Sequence, residues 1–432
     1  MSIKILCEKK VIYQNRFIGL IKIKLFAIIF GVMFGVNISP NFPDNIIDHY
    51  LDVLNNRGQF NGVLLISDKN GIQYNRSFGF ADFNNKTPLT TASTFRLASV
   101  SKQFTAFAIM LLDHQNHLDI DQDIRDFLPN LPYNDITVRN LLQHTSGLPD
   151  YMELIEKEWT SNSYPNNDDI LFLLENVKPK MEFYPGSNWE YSNTGYVLLA
   201  SIVEIVSGYN FEEFLEREIF DPLKLESTFV FTKKNRLRIE KRVTGFGFGG
   251  VKIFDDHKLN FIKGDGGIYS TTTDLYKWHR ALINGTLLPS NEIEIAYKPA
   301  ALSNGKSVNY GYGWEIEDNQ HHQIVYHSGG WLGFSNFIYR NLTEELLIVL
   351  LTNDGSPYRS EVFSGITDIL NGNNPKIPKL DAFDEIGRKI LNEPTSNPKL
   401  LLDNYYRDKL KYSIIPDHSI DLIWQLYEMN EI

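Results

Sequence analysis

The stretch Phe95–Gln115, "FRLASVSKQFTAFAIMLLDHQ", sets two serines and a lysine against the start of an apolar run. If a helix opens near Ser99, Lys102 lies three residues on and shares a face with it. Two readings follow. In one, Ser99 caps the helix and Lys102 is solvated, and a lone S-x-x-K tetrapeptide arises often enough by chance to allow this. In the other, Ser99 is a nucleophile. A partly desolvated lysine loses proton affinity and can take the serine proton. The helix N-terminus adds a positive field and free N–H groups suited to an oxyanion. Ser101 packs or caps in either reading.

Two other stretches bear on the choice. In "PGSNWEYSNTGYVLLASIVE", Tyr191-Ser192-Asn193 stands just before a long apolar helix expected from Thr194 or Gly195. Tyr191 there is either a packed ring or a proton partner of Ser99 and Lys102. Asn193 is either a cap or an amide that holds the lysine or a substrate carbonyl. In "YHSGGWLGFSNFIYR", His327-Ser328-Gly329 leads a strand and Gly330 follows. A residue without a side chain lets a substrate backbone approach there. The Gly330 N–H is a candidate oxyanion donor beside that of Ser99, and the alternative is a glycine-rich strand entry with a surface histidine.

The three elements occur in one order, at 99, 191 and 327, and with them the sequence resembles the serine β-lactamase and penicillin-recognising family. The likeness lies on the side of class C β-lactamases, D-alanyl-D-alanine carboxypeptidases and esterases. "FRLASVSK", "LLQHTSGLPDY", "PGSNWEYSNTGY", "GDGGIYSTTTDLYKW", "YGYGW" and "HSGGWLGF" look like that family's blocks, over roughly residues 45–370. The resemblance implies an α/β fold of the α+β type, an antiparallel sheet flanked by helices with an inserted all-helical domain. It also implies an acyl-serine mechanism without metal or organic cofactor. Ser99 attacks a carbonyl, Lys102 and Tyr191 manage the proton, and the Ser99 and Gly330 N–H groups hold the oxyanion. Each such donor is worth about 3–4 kcal/mol in comparable enzymes. Asn193, His327, Ser328 and Gly329 are implied to bind substrate. A non-catalytic penicillin-recognising binding protein is the other class the motifs allow.

One departure stands out. Many β-lactamases carry Lys-Thr-Gly where this chain has His327-Ser328-Gly329. A histidine of ordinary pKa, near 6.5, is mostly neutral at pH 7 and holds a substrate carboxylate less well than a lysine. That favours peptidase, aminopeptidase or esterase chemistry over efficient β-lactam hydrolysis. It also predicts that a lysine at 327 would help carboxylate-bearing substrates near pH 8.

Composition narrows the partners. Apolar residues make up 43% and charged residues 22% of 432, enough for a large packed core. A net charge of -11 with no basic stripe in the main body argues against nucleic acid. The expected partner is a small-molecule or peptide substrate, such as a peptidoglycan-derived one. The single cysteine, Cys7, excludes an intramolecular disulfide and a cysteine zinc site. The histidine pairs His114/His117 and His321/His322 have no carboxylates at a ligand spacing.

Residues 1–24 carry six basic side chains against one acid, and "LFAIIFGVMFGV", Leu25–Val36, follows without a charge. Twelve apolar residues suit a signal-peptide core better than a membrane span of about 20. Residues 1–40 are therefore expected to be a signal peptide or anchor that meets the membrane or export machinery. Cys7 precedes the run and is not a lipoprotein cysteine, and no A-x-A site follows Val36.

Strand patterns flank a helical stretch. Val63–Ser67 and Ile72–Phe80 bracket Asp68-Lys69-Asn70-Gly71, a hairpin signal, and Asn336–Asp354 reads as a second hairpin. Between them, about 99–225, the patterns are helical. A sheet built from both ends of residues 41–372 with a helical insert is the expected organisation. Residues 373–432 read as an appended helical extension.

Overall fold

The computed structural model describes residues 42–236, 239, 241–247, 257–318, 321–355 and 357–381, and the backbone of 412–413. Both hairpins form. Strands β1 (Gly62–Asp68) and β2 (Gly71–Phe78) meet at Asp68↔Gly71, where Asp68 Oδ1 accepts the Asn70 N–H at 2.7 Å. The remaining strands of the sheet are β3 (Glu315–Asp318), β4 (Gln323–Trp331), β5 (Phe334–Asn341) and β6 (Leu346–Thr352). They join in the order β3-β4-β5-β6-β1-β2, every pair antiparallel.

The central strands are apolar throughout because both faces are covered. Along β1, Val63 and Leu65 enter one cluster while Leu64 and Ile66 enter another. Along β6, Leu347, Val349 and Leu351 alternate in the same way with Leu346, Ile348 and Leu350. This is the two-residue period of a strand, read into two cores at once. Helices α1 (Asp44–Asn56) and α9 (Arg359–Leu370) cover one face. On the other lie α8 (Thr272–Asn284) and the helical insert.

That insert holds α2 (Lys102–His114), α3 (Val138–Leu142), α4 (Tyr151–Glu158), α5 (Asn167–Val177), α6 (Asn193–Ser207) and α7 (Phe211–Leu215), with a π-turn at Glu216–Phe220. Its apolar residues belong to the same cluster as one face of the sheet. Insert and sheet therefore share a core.

Helix α4 lies inside the stretch expected to be helical, whereas α8 and α9 were not expected. In α8 a threonine run disguises the start, yet Thr271 Oγ1 accepts the Asp274 N–H at 3.2 Å as an ordinary N-cap. The helical reading of the C-terminal extension meets a correction where the chain is described. Leu380–Asp381 pairs in parallel with Tyr412–Ser413, so Tyr412 lies on a strand. Residues 373–379 of that extension form no helix, while 382–411, 414–432 and the expected export segment with Cys7 lie outside the described residues.

Candidate active site

Ser99 sits in a 3-10 turn, Ala98–Ser101, that runs straight into α2. Ala98 holds φ at 50°, a left-handed conformation costing an L-residue about 1–2 kcal/mol. Neither serine caps the helix. Ser99 is half-buried with its hydroxyl on Lys102, whereas Ser101 is fully buried and its Oγ accepts the Ile268 N–H at 3.2 Å. The capping reading of Ser99 therefore falls.

Lys102 is fully buried. Its Nζ donates to the Asp265 carbonyl at 2.7 Å and to Asn193 Oδ1 at 2.8 Å, and lies 3.3 Å from Ser99 Oγ. Burial lowers its pKa to about 8, against the opposing pull of Asp265 and Asp150. The partners explain how a neutral amine fits. Two of them are oxygens that only accept, and they use the two N–H bonds of –NH2. The lone pair is left for the one partner that can donate, the Ser99 hydroxyl.

Asn193 opens α6, and Ser192 caps it by accepting the Gly195 N–H at 3.1 Å. Of the two roles open to Asn193, its Oδ1 takes the lysine. The Tyr191 ring lies 4.8 Å from Lys102 Nζ. Its hydroxyl is buried and without a full hydrogen bond, although Ser99 is near enough to favour the phenolate slightly. Contacts of this kind tighten once substrate binds. Burial dominates and lifts the Tyr191 pKa well above 10, so the phenol keeps its proton.

Strand β4 completes the wall. A Cβ at Gly329 would lie 2.2 Å from the Leu97 carbonyl and 3.2 Å from the Ser99 nitrogen, so only glycine lets the strand lie against the turn. Gly330 comes next, exposed and paired with Ser335, and Ser328 pairs with Phe337. Strand β3 pairs with Gln323–Tyr326 only. Among the described residues, the half of β4 from His327 to Trp331 thus carries no strand on that edge.

His327 departs from expectation. The ring is 2% exposed. Its Nδ1 lies 2.6 Å from the Ser328 carbonyl, which only accepts, so Nδ1 carries the hydrogen. Nε2 therefore accepts from the Tyr310 hydroxyl at 2.9 Å. Both nitrogens are committed, and burial followed by the Lys102 charge lowers the pKa to about 3. The ring is neither a surface group nor free to meet a substrate carboxylate. It does not become cationic near pH 5.5.

Four contributors carried no role in the sequence reading. Asp265 supplies the carbonyl to Lys102, and its carboxylate Oδ2 accepts from the Tyr151 hydroxyl at 2.9 Å. Tyr310 holds His327, and His144 stacks on Tyr191 with ring centroids 4.3 Å apart. All four fall in or beside the quoted blocks "LLQHTSGLPDY", "GDGG" and "YGYGW". Their partners, however, are 17 to 163 residues away.

A cleft of about 460 Å³ opens beside Tyr191, Ser192 and Asn193. Among its lining residues, Asp150, Glu153, Glu158, Glu182 and Glu190 outnumber Lys157 and Lys180.

The chain is similar to known proteins. Penicillin-binding protein 4* of Bacillus subtilis is 35% identical over 351 residues, 77% of each chain. The crystal structure of a penicillin-binding protein from Bacillus halodurans superposes with a TM-score of 0.64 at 27% identity, over 74% of this chain and 99% of that one. D-amino acid amidase from Ochrobactrum anthropi, in complex with D-phenylalanine, gives 0.62 at 25% identity, over 76% and 97%. A sequence model of the family described as Beta-lactamase matches residues 44–368. With the serine–lysine pair, the tyrosine and the glycine strand held in one wall, the chain belongs to the β-lactamase family of serine hydrolases.

Proposed function

We propose that the protein hydrolyses amide and ester bonds through an acyl-Ser99 intermediate. The carrying observation is the set of contacts at Lys102 Nζ, two pure acceptors and one hydroxyl, which suits a neutral base. Ser99 Oγ attacks the carbonyl carbon while its proton passes to Lys102. The Ser99 and Gly330 N–H groups take the oxyanion. The Tyr191 phenol protonates the departing amine or alkoxide and is recharged from the Lys102 ammonium. Water then attacks the acyl-serine with the same groups as base, releasing the acid and restoring Ser99.

The preferred substrate in this reading is a D-amino-acid amide or peptide with a free amino group. The acid-rich cleft beside Tyr191 attracts an ammonium and repels a carboxylate, and the His327 ring offers no cation to offset that. The amidase among the similar structures supports the same substrate class. Export of the chain is proposed from the basic start and the apolar Leu25–Val36 run. Fractionation of the expressing cell tests it, and recovery solely in the cytosol would exclude it.

A fluorophosphonate or fluorescent penicillin should label the wild type and not Ser99→Ala. Labelling of the variant at wild-type rate would move the nucleophile elsewhere and overturn the reading. In a panel of D-amino-acid amides, esters and β-lactams, the amides should give the highest kcat/KM among amide-bond substrates. β-Lactams outpacing them would overturn the substrate class alone.

A further inference from the structure

Residues 182–192 are laced onto residues 144–147 by four hydrogen bonds. The Glu182 N–H donates to the Gly147 carbonyl at 2.9 Å and the Gly186 N–H to the Thr145 carbonyl at 2.8 Å. The other two both end on His144. The Glu190 N–H donates to its carbonyl and the Ser192 N–H to its ring Nδ1, each at 3.1 Å. Those two donors are the residues on either side of Tyr191, and the imidazole itself stacks on the Tyr191 ring at 4.3 Å and 39°.

The histidine is as fixed as what it holds. It is fully buried, its φ is 59°, and its own N–H donates to the Leu141 carbonyl at 3.3 Å. Because Nδ1 accepts, the hydrogen of the neutral ring is on Nε2. That nitrogen has no hydrogen-bond partner among the described residues, and the Tyr196, Tyr310 and Trp189 rings surround the imidazole with centroids 5.0, 4.5 and 6.2 Å from its own. A buried ring with one unsatisfied N–H costs stability, so packing alone would favour an apolar residue. The site retains an acceptor at Nδ1 instead.

We propose that His144 is a positioning residue for acyl transfer. It clamps both peptide neighbours of Tyr191 and backs its ring, so that the phenol O–H is held toward the leaving group. This rests on the acyl-serine reading above and acts only through Tyr191. Burial, then the charge of Lys102, then His327 hold its pKa well below 6.5, which keeps Nδ1 an acceptor across the working range.

The test uses leaving groups. An amide needs a proton to depart, and a nitrophenyl ester does not. In the full chain, single-turnover acylation should be measured on a D-amino-acid anilide and on the matching nitrophenyl ester. His144→Phe keeps a ring and removes the acceptor. It should slow anilide acylation about 100-fold, as a misplacement of about 1 Å does, with KM within about threefold and the ester within about fivefold. His144→Asn, which places an oxygen near the Nδ1 position, should recover at least tenfold on the anilide. Equal losses on both substrates, or no recovery with Asn, would make His144 a packing residue and overturn the proposal. Should the Phe variant not fold, His144→Gln replaces it, since its amide reaches the Nε2 position and leaves Ser192 unpaired. An anilide-selective loss in Gln but not in Asn is then expected, and its absence overturns the clamp. Fluorophosphonate labelling separates the two levels. A wild type that does not label at Ser99 breaks the acyl-serine reading, whereas normal labelling with a flat leaving-group pattern breaks only the clamp.

Discussion

Lys102 on its helix and His327 on its strand are both buried bases beside Tyr191, and burial lowers the pKa of both. Their remaining bonds separate them. The lysine spends two hydrogens on fixed acceptors and keeps its third position on the Ser99 hydroxyl. The histidine spends both nitrogens, one on Ser328 and one on Tyr310. Depressed basicity is thus common to a base and to a strut, and what makes a base is an uncommitted position facing the nucleophile.

The largest effect that tests this contrast falls on the lysine side. Lys102→Ala and Tyr191→Phe should each slow acylation by about 10³ or more. The double variant should cost far less than the product, because groups sharing one proton act as a unit. Independent, multiplicative losses would leave Tyr191 a packing residue. The wild-type acylation rate should rise with pH through about 8, since only the neutral amine accepts the serine proton and its fraction grows as pH passes the Lys102 pKa. A limb centred near 6.5 would assign the base to a histidine and break the contrast.

An intermediate effect is expected on the strand side. His327→Lys would set a second ammonium in a buried place near Lys102, where among the described residues the ring now hydrogen-bonds only the Ser328 carbonyl and the Tyr310 hydroxyl and no carboxylate. Burying an uncompensated charge costs about 3 kcal/mol or more, so the melting temperature should fall by several degrees. The acylation limb should also move below pH 8 as the new cation disfavours protonation of Lys102. This reverses the gain at 327 that the sequence led us to expect. A stable variant that selectively improves carboxylate-bearing substrates would show that position 327 does reach the substrate.

The contrast also shows what the chain reveals before it folds. The hairpin at Asp68–Gly71 and the strands Leu346–Thr352 and Gly62–Asp68 were legible, because Asn-Gly and unbroken apolar runs act locally. Ser99, Lys102, Tyr191 and Asn193 were legible because their spacing resembles a known family, and the structure brings Lys102 to Ser99, Asn193 and Tyr191. His327 was legible as a position and not as an environment. Its ring bonds to Tyr310 and feels the charge of Lys102, which come from other elements. His144 escaped for the same reason, since nothing near residue 144 announces that Glu190 and Ser192 will close on it. Helix α8 was lost to β-branched threonines, whose strand preference hides a cap.

The smallest effect concerns the two serines of the opening stretch, two residues apart and equal as chemical groups. Ser101 Oγ accepts the Ile268 N–H inside the core and Ser99 Oγ faces Lys102 from a half-buried turn. Ser101→Ala leaves a buried N–H unpaired, a loss of about 1–3 kcal/mol. Denaturant unfolding should therefore show a lower midpoint at unchanged slope. Fluorophosphonate labelling of the folded variant should proceed at the wild-type rate, because Ser101 Oγ holds the Ile268 N–H whereas the hydroxyl on Lys102 is that of Ser99. Ser99→Ala should show the opposite pattern, a nearly unchanged midpoint with no labelling, since a half-exposed hydroxyl on a turn contributes little to packing. Labelling lost in Ser101→Ala at unchanged stability would place the reactive hydroxyl at 101. The contact of Lys102 with Ser99 would then not be the productive one.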